Sequence, residues 1–335
     1  MSSKRDTTHG RMSSFSRNEK LELLLQDINE TLWISEKRIL EEHHTLKFPL
    51  LLIVGPMRSG TTLFMQWLAN TGLIAYPTNL LSRFYKAPVI GAKIQLMLTD
   101  PRYNFRDELA DLMQAVDYRS ENGKTRGVLA PNEFWYFWRR FLSDPSRDVW
   151  TDDELSEGMD VETLIAELAA LTEVFNKPFA IKSMLFNYNI SFLNAIFEKA
   201  LFVQLRRDYA SNVSSLLSAR ERQLGGRDQW YSFKIPEYPE LKDLDPVVQA
   251  AGQVVHIDRA VTQGIGSIDQ SRAMLVQYED FCEDPRRTFR ELLHKLGVDE
   301  TETAYVGPES FNISRKPEEP ERQAIEDALA TYSTE

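Results

Sequence analysis

The chain of 335 residues holds one cysteine, Cys282, so an internal disulfide is excluded and a reducing compartment suits it. No apolar run reaches transmembrane length, and residues 1–20 lack the apolar core of a secretory signal. The expectation is therefore no membrane span and a cytoplasmic location. Basic charge is also short: 39 Lys and Arg against 50 Asp and Glu leave a net charge of −11. A dedicated nucleic-acid surface needs a basic face, so nucleic acid is not an expected partner. A local anion site is still allowed, because backbone amides can cradle an anion inside an acidic protein. Residues 1–17, rich in Ser, Thr and Arg, are expected to be a disordered tail, and 18–335 a single domain.

The most informative stretch is residues 48–72, FPLLLIVGPMRSGTTLFMQWLANTG. Residues 48–54 are apolar and short enough for one buried strand. A glycine-spaced loop follows, from Gly55 to Gly60, and Thr61-Thr62 open a helix that Gly72 closes. Strand, glycine loop and helix start make a phosphate cradle, with loop amides and the positive helix end aimed at one spot. The Gly-x-x-x-x-Gly spacing matches the ATP-binding P-loop, but the Lys required after the second Gly is missing. Thr61 stands there, and Arg58 is the only cation in the loop.

Three further apolar segments read as strands: residues 178–183, 200–205 and 273–278. Helical patterns separate them, so the expected fold is α/β, a three-layer parallel β-sheet flanked by helices. Asp245-Pro246 and Asp284-Pro285 are helix starts, and Thr151 with Glu154 fits a capping box. Residues 80–98 read as one helix with a break near Pro88, and 120–127 as a polar loop. His43-His44 reads as a solvated helix end. Phe134, Trp135, Tyr136, Phe137, Trp138 and Phe141 form a dense aromatic cluster of the kind that is more often core than cofactor site. Glu133 at its leading edge is either a helix-start charge or a placed acid or base.

Taken together, GPMRSGTT at 55–62, LRRDYASNVSS at 205–215 and VQYEDFCEDPRRTFRELLHKLG at 276–297 resemble the sulfotransferases that use 3′-phosphoadenosine-5′-phosphosulfate (PAPS), in their bacterial and Golgi-like branch. The resemblance covers most of residues 48–300 and implies a P-loop-NTPase-like sulfotransferase fold. It also implies sulfuryl transfer from PAPS to a hydroxyl or amine, release of 3′,5′-ADP, and no metal. Arg58, Ser59, Gly60, Thr61 and Thr62 would hold the 5′-phosphate and sulfuryl group. Arg207 and Ser215 would hold the 3′-phosphate, with Arg315-Lys316 as a basic loop over it. Tyr209 departs from the family's Pro.

The family's Lys-Thr-His triplet appears here as Lys182-Ser183-Met184. Lys182 can stabilise the bridging oxygen, but the histidine base is absent. Glu133, with a carboxyl raised by its apolar setting, is the first candidate for the base. His256, in the helix before the fourth strand, is the second. Tyr278-Glu279-Asp280 reads as mainly structural. The aromatic wall and the 226–240 loop suggest a small-molecule or lipid-like acceptor, and a homodimer is compatible with the chain. The alternatives are a P-loop kinase or nucleotidase, disfavoured by the missing Lys, and a non-catalytic nucleotide-binding protein.

Overall fold

Leu50–Val54 forms β1, and all five of its residues are fully buried. Strand side chains alternate between faces, and here each face meets its own core. Leu50, Leu52 and Val54 pack into one apolar cluster, and Leu51 and Ile53 into another. The same alternation runs along Phe179–Lys182 and Ala200–Arg206. Phe179, Ile181 and Phe202 join the first cluster; Ala180, Leu201, Val203 and Leu205 join the second. The sheet is the middle layer and the helices cover both faces, as the sequence pattern requires. The computed structural model describes residues 18–42, 45–112, 116–118, 120–121, 124–301, 303–313 and 316–332. The expected tail 1–17, His43-His44 and Arg315 lie outside the described residues.

Two short strands, β2 (Ser120–Glu121) and β3 (Lys124–Thr125), pair as an antiparallel ribbon where a polar loop was expected. The main sheet continues with β4 (Phe179–Lys182), β5 (Ala200–Arg206) and β6 (Ala273–Gln277). Its order is β4-β1-β5-β6 and every pairing is parallel. Leu52 sits between Ile181 of β4 and Phe202 of β5. All four strands therefore end on the same edge. That edge carries the loop after Val54, Lys182, Arg206-Arg207 and Tyr278.

The helices obey their local signals. Thr151 and Glu154 form the expected capping box for Asp152–Gly158. Asp208 accepts from the Ser211 amide at the start of Tyr209–Leu224, and Asp284 from the Arg287 amide at the start of Pro285–Leu296. The break expected near Pro88 is present: the segment is a 3₁₀ turn, Leu81–Phe84, followed by a helix, Pro88–Thr99, so only its first half departs from the expected helix. Proline lacks an amide hydrogen and starts the second helix rather than continuing the first. The N-terminal helix Glu19–Leu40 is fastened to that start: both Glu36 carboxylate oxygens accept amides, from Val89 at 2.6 Å and Ile90 at 3.0 Å. The fourth strand stops one residue earlier than expected, and Tyr278 opens the helix Tyr278–Glu283.

Candidate active site

The glycine loop is built by close approach. At Gly55, φ is 135°, and a Cβ there would lie 2.3 Å from the carbonyl oxygen of Leu205 on β5. Glycine is therefore required for β1 to turn out of the sheet at this point. The Asn187 side chain brackets the turn: it accepts from the Gly55 amide at 3.0 Å and donates to the Gly55 carbonyl at 2.9 Å. Gly60 has φ of 97° and caps the helix Thr61–Thr71, and a Cβ on it would lie 2.3 Å from the Tyr278 ring. No side chain caps this helix start. Its first amides belong to residues that line an open cleft.

The cleft is open to solvent. Arg58, Gly60, Thr61 and Thr62 line it from the loop, and Arg207, Ser215 and Tyr278 from the ends of β5 and β6 and the helix between them. Arg58 adopts a left-handed backbone, φ 66°, and donates from Nε to Ser215 Oγ at 3.2 Å. Arg207 donates to the Arg58 carbonyl at 3.1 Å, and its guanidinium lies 4.9 Å from the centre of the Tyr278 ring. Burial pulls the Arg58 pKa below its ordinary value; Tyr231 and Glu133 oppose this, while Arg207 and Arg222 add to it. Arg207 is buried and Arg58 half-buried, so their two positive charges would favour an anion in the cleft.

A continuous polar chain runs from the loop to Glu133. Lys182 Nζ donates to Glu133 Oε1 at 3.1 Å and to Thr62 Oγ1 at 3.0 Å. Trp135 Nε1 donates to Glu133 Oε2 at 2.5 Å. The Lys182 side chain is 5% exposed and that of Glu133 37%, so the lysine lies beneath and the carboxylate meets the cleft. Trp138 Nε1 holds the Lys182 carbonyl at 2.8 Å. The expectation of a raised Glu133 carboxyl is corrected here. Burial does push it up, but the Lys182 charge, the Trp135 N–H, the Lys182 hydrogen bond and Arg58 together hold it below its usual range.

The structure thus brings together Arg58, Gly60, Thr61, Thr62, Glu133, Lys182, Arg207 and Ser215. Ser59 is fully buried within the loop and does not line the cleft. His256 is not among the lining residues either; its Nδ1 lies 3.6 Å from Glu237 Oε1 and its ring is edge-on to Tyr332. Lys316 is exposed and outside the lining set.

The expected aromatic wall is corrected as well. Phe134, Phe137, Trp138 and Phe141 are buried core, and only Trp135 of that run lines the cleft, joined by Tyr231 and Ser232 from the 226–240 loop. Sequence reasoning read Tyr278 as mainly structural, although it lines the cleft, and it missed Asn187. Tyr278 had a usable signal, because it follows directly on a strand end, as Lys182 and Arg207 do. Asn187 had none, since its role depends on meeting Gly55 across 132 residues.

Comparison with known proteins bears on the fold and the family. The family described as "Sulfotransferase family" matches residues 49–302. The sulfotransferase STF9 from Mycobacterium avium matches with a TM-score of 0.50 at 18% identity, over 94% of this chain and 73% of that one. The sulfotransferase STF1 from Mycobacterium tuberculosis H37Rv matches with a TM-score of 0.50 at 15% identity, over 92% and 76%. At such identities these two likenesses speak for the fold. A comparison with curated proteins gave no match. With strand ends, loop and cleft in place and the family match running from β1 past β6, the chain belongs to the sulfotransferase family.

Proposed function

We propose that the chain moves a sulfuryl group from PAPS to the hydroxyl, or amine, of a small-molecule or lipid-like acceptor and releases 3′,5′-ADP. The observation that carries this reading is the Glu133–Lys182–Thr62 chain, which sits in one cleft with the Arg58 loop and Arg207. The residues suit an anionic nucleotide. Arg207 Nε is a buried donor without a partner among the described residues. The amides at the start of Thr61–Thr71 have no side-chain cap.

Gly60, Thr61 and Thr62 with Arg58 would hold the 5′-phosphate end of the donor, and Arg207 and Ser215 the 3′-phosphate. When bound, the donor supplies the sulfuryl group and a phosphate leaving group. Glu133 then takes the proton from the acceptor, since it is ionised, reachable and fixed in direction. Lys182 places positive charge beside the loop and the carboxylate, where negative charge develops during transfer. Arginine and lysine supply this charge, and the reading requires no metal. Trp135, Met184, Leu63 and Tyr231 give the cleft an apolar side that suits a flat or aliphatic acceptor.

Thermal stabilisation tests this reading. A ligand that binds the folded chain raises its stability by about 2.7 kcal/mol at a hundred times its Kd. 3′,5′-ADP should raise the melting temperature more than 5′-AMP does. A shift with Mg·ATP alone would overturn the reading in favour of a kinase or nucleotidase. Binding of 3′,5′-ADP without any desulfation of the donor would leave a nucleotide-binding protein.

A further inference from the structure

We infer that Trp135 is a positioning residue for Glu133: its indole N–H fixes which lone pairs of the carboxylate face the acceptor. This inference rests on the reading of Glu133 as the base.

The backbone around Trp135 is shaped for that bond. Phe134 adopts a left-handed conformation, φ 57° and ψ 35°. Its amide donates to the Asn132 side chain at 2.8 Å, and Asn132 in turn donates to Asn79 at 2.9 Å. A non-glycine residue in this region stores strain that the surroundings must hold in place. The result is a sharp corner between Glu133 and Trp135. It folds the indole back over the residue two positions earlier and sends Phe134 into the core. The indole also meets the Phe233 ring, 6.1 Å between centres, and the Arg139 guanidinium, 5.6 Å from the ring centre.

A carboxylate has about four lone-pair directions, two on each oxygen. Lys182 occupies one on Oε1 and Trp135 one on Oε2. Both remaining directions are fixed, because the carboxylate can no longer rotate about its last bond. Lys182 alone would hold only one of the two oxygens. The bond also favours the ionised form, which is the form a base needs. Trp135 therefore contributes orientation as well as a face of the cleft.

The test compares the native chain with Trp135→Phe, which keeps a ring and removes the donor. Infrared difference spectra against Glu133→Gln isolate the Glu133 carboxylate and give its titration midpoint. The midpoint should move up in Trp135→Phe. The kcat for donor desulfation should fall by about tenfold to a hundredfold, as expected for loss of a hydrogen bond to a charged group. The donor KM and 3′,5′-ADP binding should not change. A midpoint and kcat equal to native would overturn the inference.

A second measurement needs no Trp135 variant. The indole N–H resonance of Trp135 should titrate with the Glu133 midpoint in the native chain and lose that step in Glu133→Gln. A resonance indifferent to Glu133 would also overturn the inference. If Glu133→Gln leaves desulfation intact, the base assignment fails by itself, and the two titrations still report whether the bond exists.

Discussion

Lys182 Nζ lies within 3.1 Å of Glu133 and 3.0 Å of Thr62, so one ammonium joins the carboxylate wall of the cleft to the helix start of the loop. Glu133 departs from an ordinary surface glutamate because of this contact. Lys182 is the largest of the influences that oppose burial there, so its removal would move the carboxyl up.

Glu133→Gln should lower turnover by about a hundredfold to ten-thousandfold, the range of a lost general base, while 3′,5′-ADP still raises the melting temperature. Near-native turnover would move the role elsewhere. The pH profile gives a second check. The folded pKa of Glu133 is depressed, so its carboxylate is already ionised above the ordinary carboxylate range. Native activity should stay level on acidification until the pH falls below that range. The stability Glu133 contributes is likewise present above the unfolded pKa and lost as pH falls through the folded one. An activity loss centred near pH ~6.5, the ordinary range of imidazole, would point to a histidine base instead.

Lys182→Met should reverse that behaviour. With its cation removed, Glu133 is left with burial as the largest influence, and its pKa should rise. The acid limb of kcat should then appear at higher pH than in the native chain. Turnover at neutral pH should fall by about a hundredfold, the loss seen when one donor to a developing oxyanion is removed. A pH profile superimposable on the native one would show that the two residues are not coupled.

Much of this site was legible from residue order. β1 was visible because a short apolar run ends at Gly55-Pro56, and the helix starts because Asp, Thr and Pro stand at their caps. Arg58 and Lys182 stood out because each lies at or just beyond a strand end, whereas Arg207 and Ser215 were expected from the family resemblance; three of them line one cleft, and Lys182 reaches it through Thr62 and Glu133. The sign of the Glu133 shift was not legible. Its apolar neighbours are adjacent in sequence, but Lys182 lies 49 residues away. The split of the aromatic run was equally hidden. The left-handed corner at Phe134 sends one ring inward and the next into the cleft, and no helical period predicts that.

Gly60→Ala tests the packing of the loop. The backbone at φ 97° resists a side chain, at a cost of about 1–3 kcal/mol. The added methyl would also meet the Tyr278 ring at 2.3 Å, and overpacking costs about 1–3 kcal/mol more. The melting temperature should fall and the 3′,5′-ADP shift should shrink. Adding Tyr278→Leu should recover part of the stability, since it relieves the ring contact and leaves the backbone strain. Strictly additive effects of the two substitutions would argue against that contact.

Glu36 should make the stability of the chain depend on pH in the opposite sense to Glu133. It is fully buried, and burial pushes its pKa up from 4.5 to about 7, against the amides of Val89 and Ile90 and the charges of Arg140 and Lys93. Between those two values the folded chain binds a proton that the unfolded chain has released. Stability must therefore fall as pH rises through that window, with Glu36's contribution intact below 4.5 and lost by about 7. The full effect is on the order of 3 kcal/mol for a shift of this size. Glu36→Gln cannot titrate. Below pH 4.5 it should be less stable than the native chain by about 1 kcal/mol, because one amide loses its acceptor, but its urea midpoint should not share the decline between pH 5 and 7, so the deficit should close and reverse as the pH rises. The readout is the difference between the two pH curves, which removes every other titrating group. Parallel curves would mean that Glu36 keeps its charge in the core, held by Val89 and Ile90 more firmly than burial opposes it.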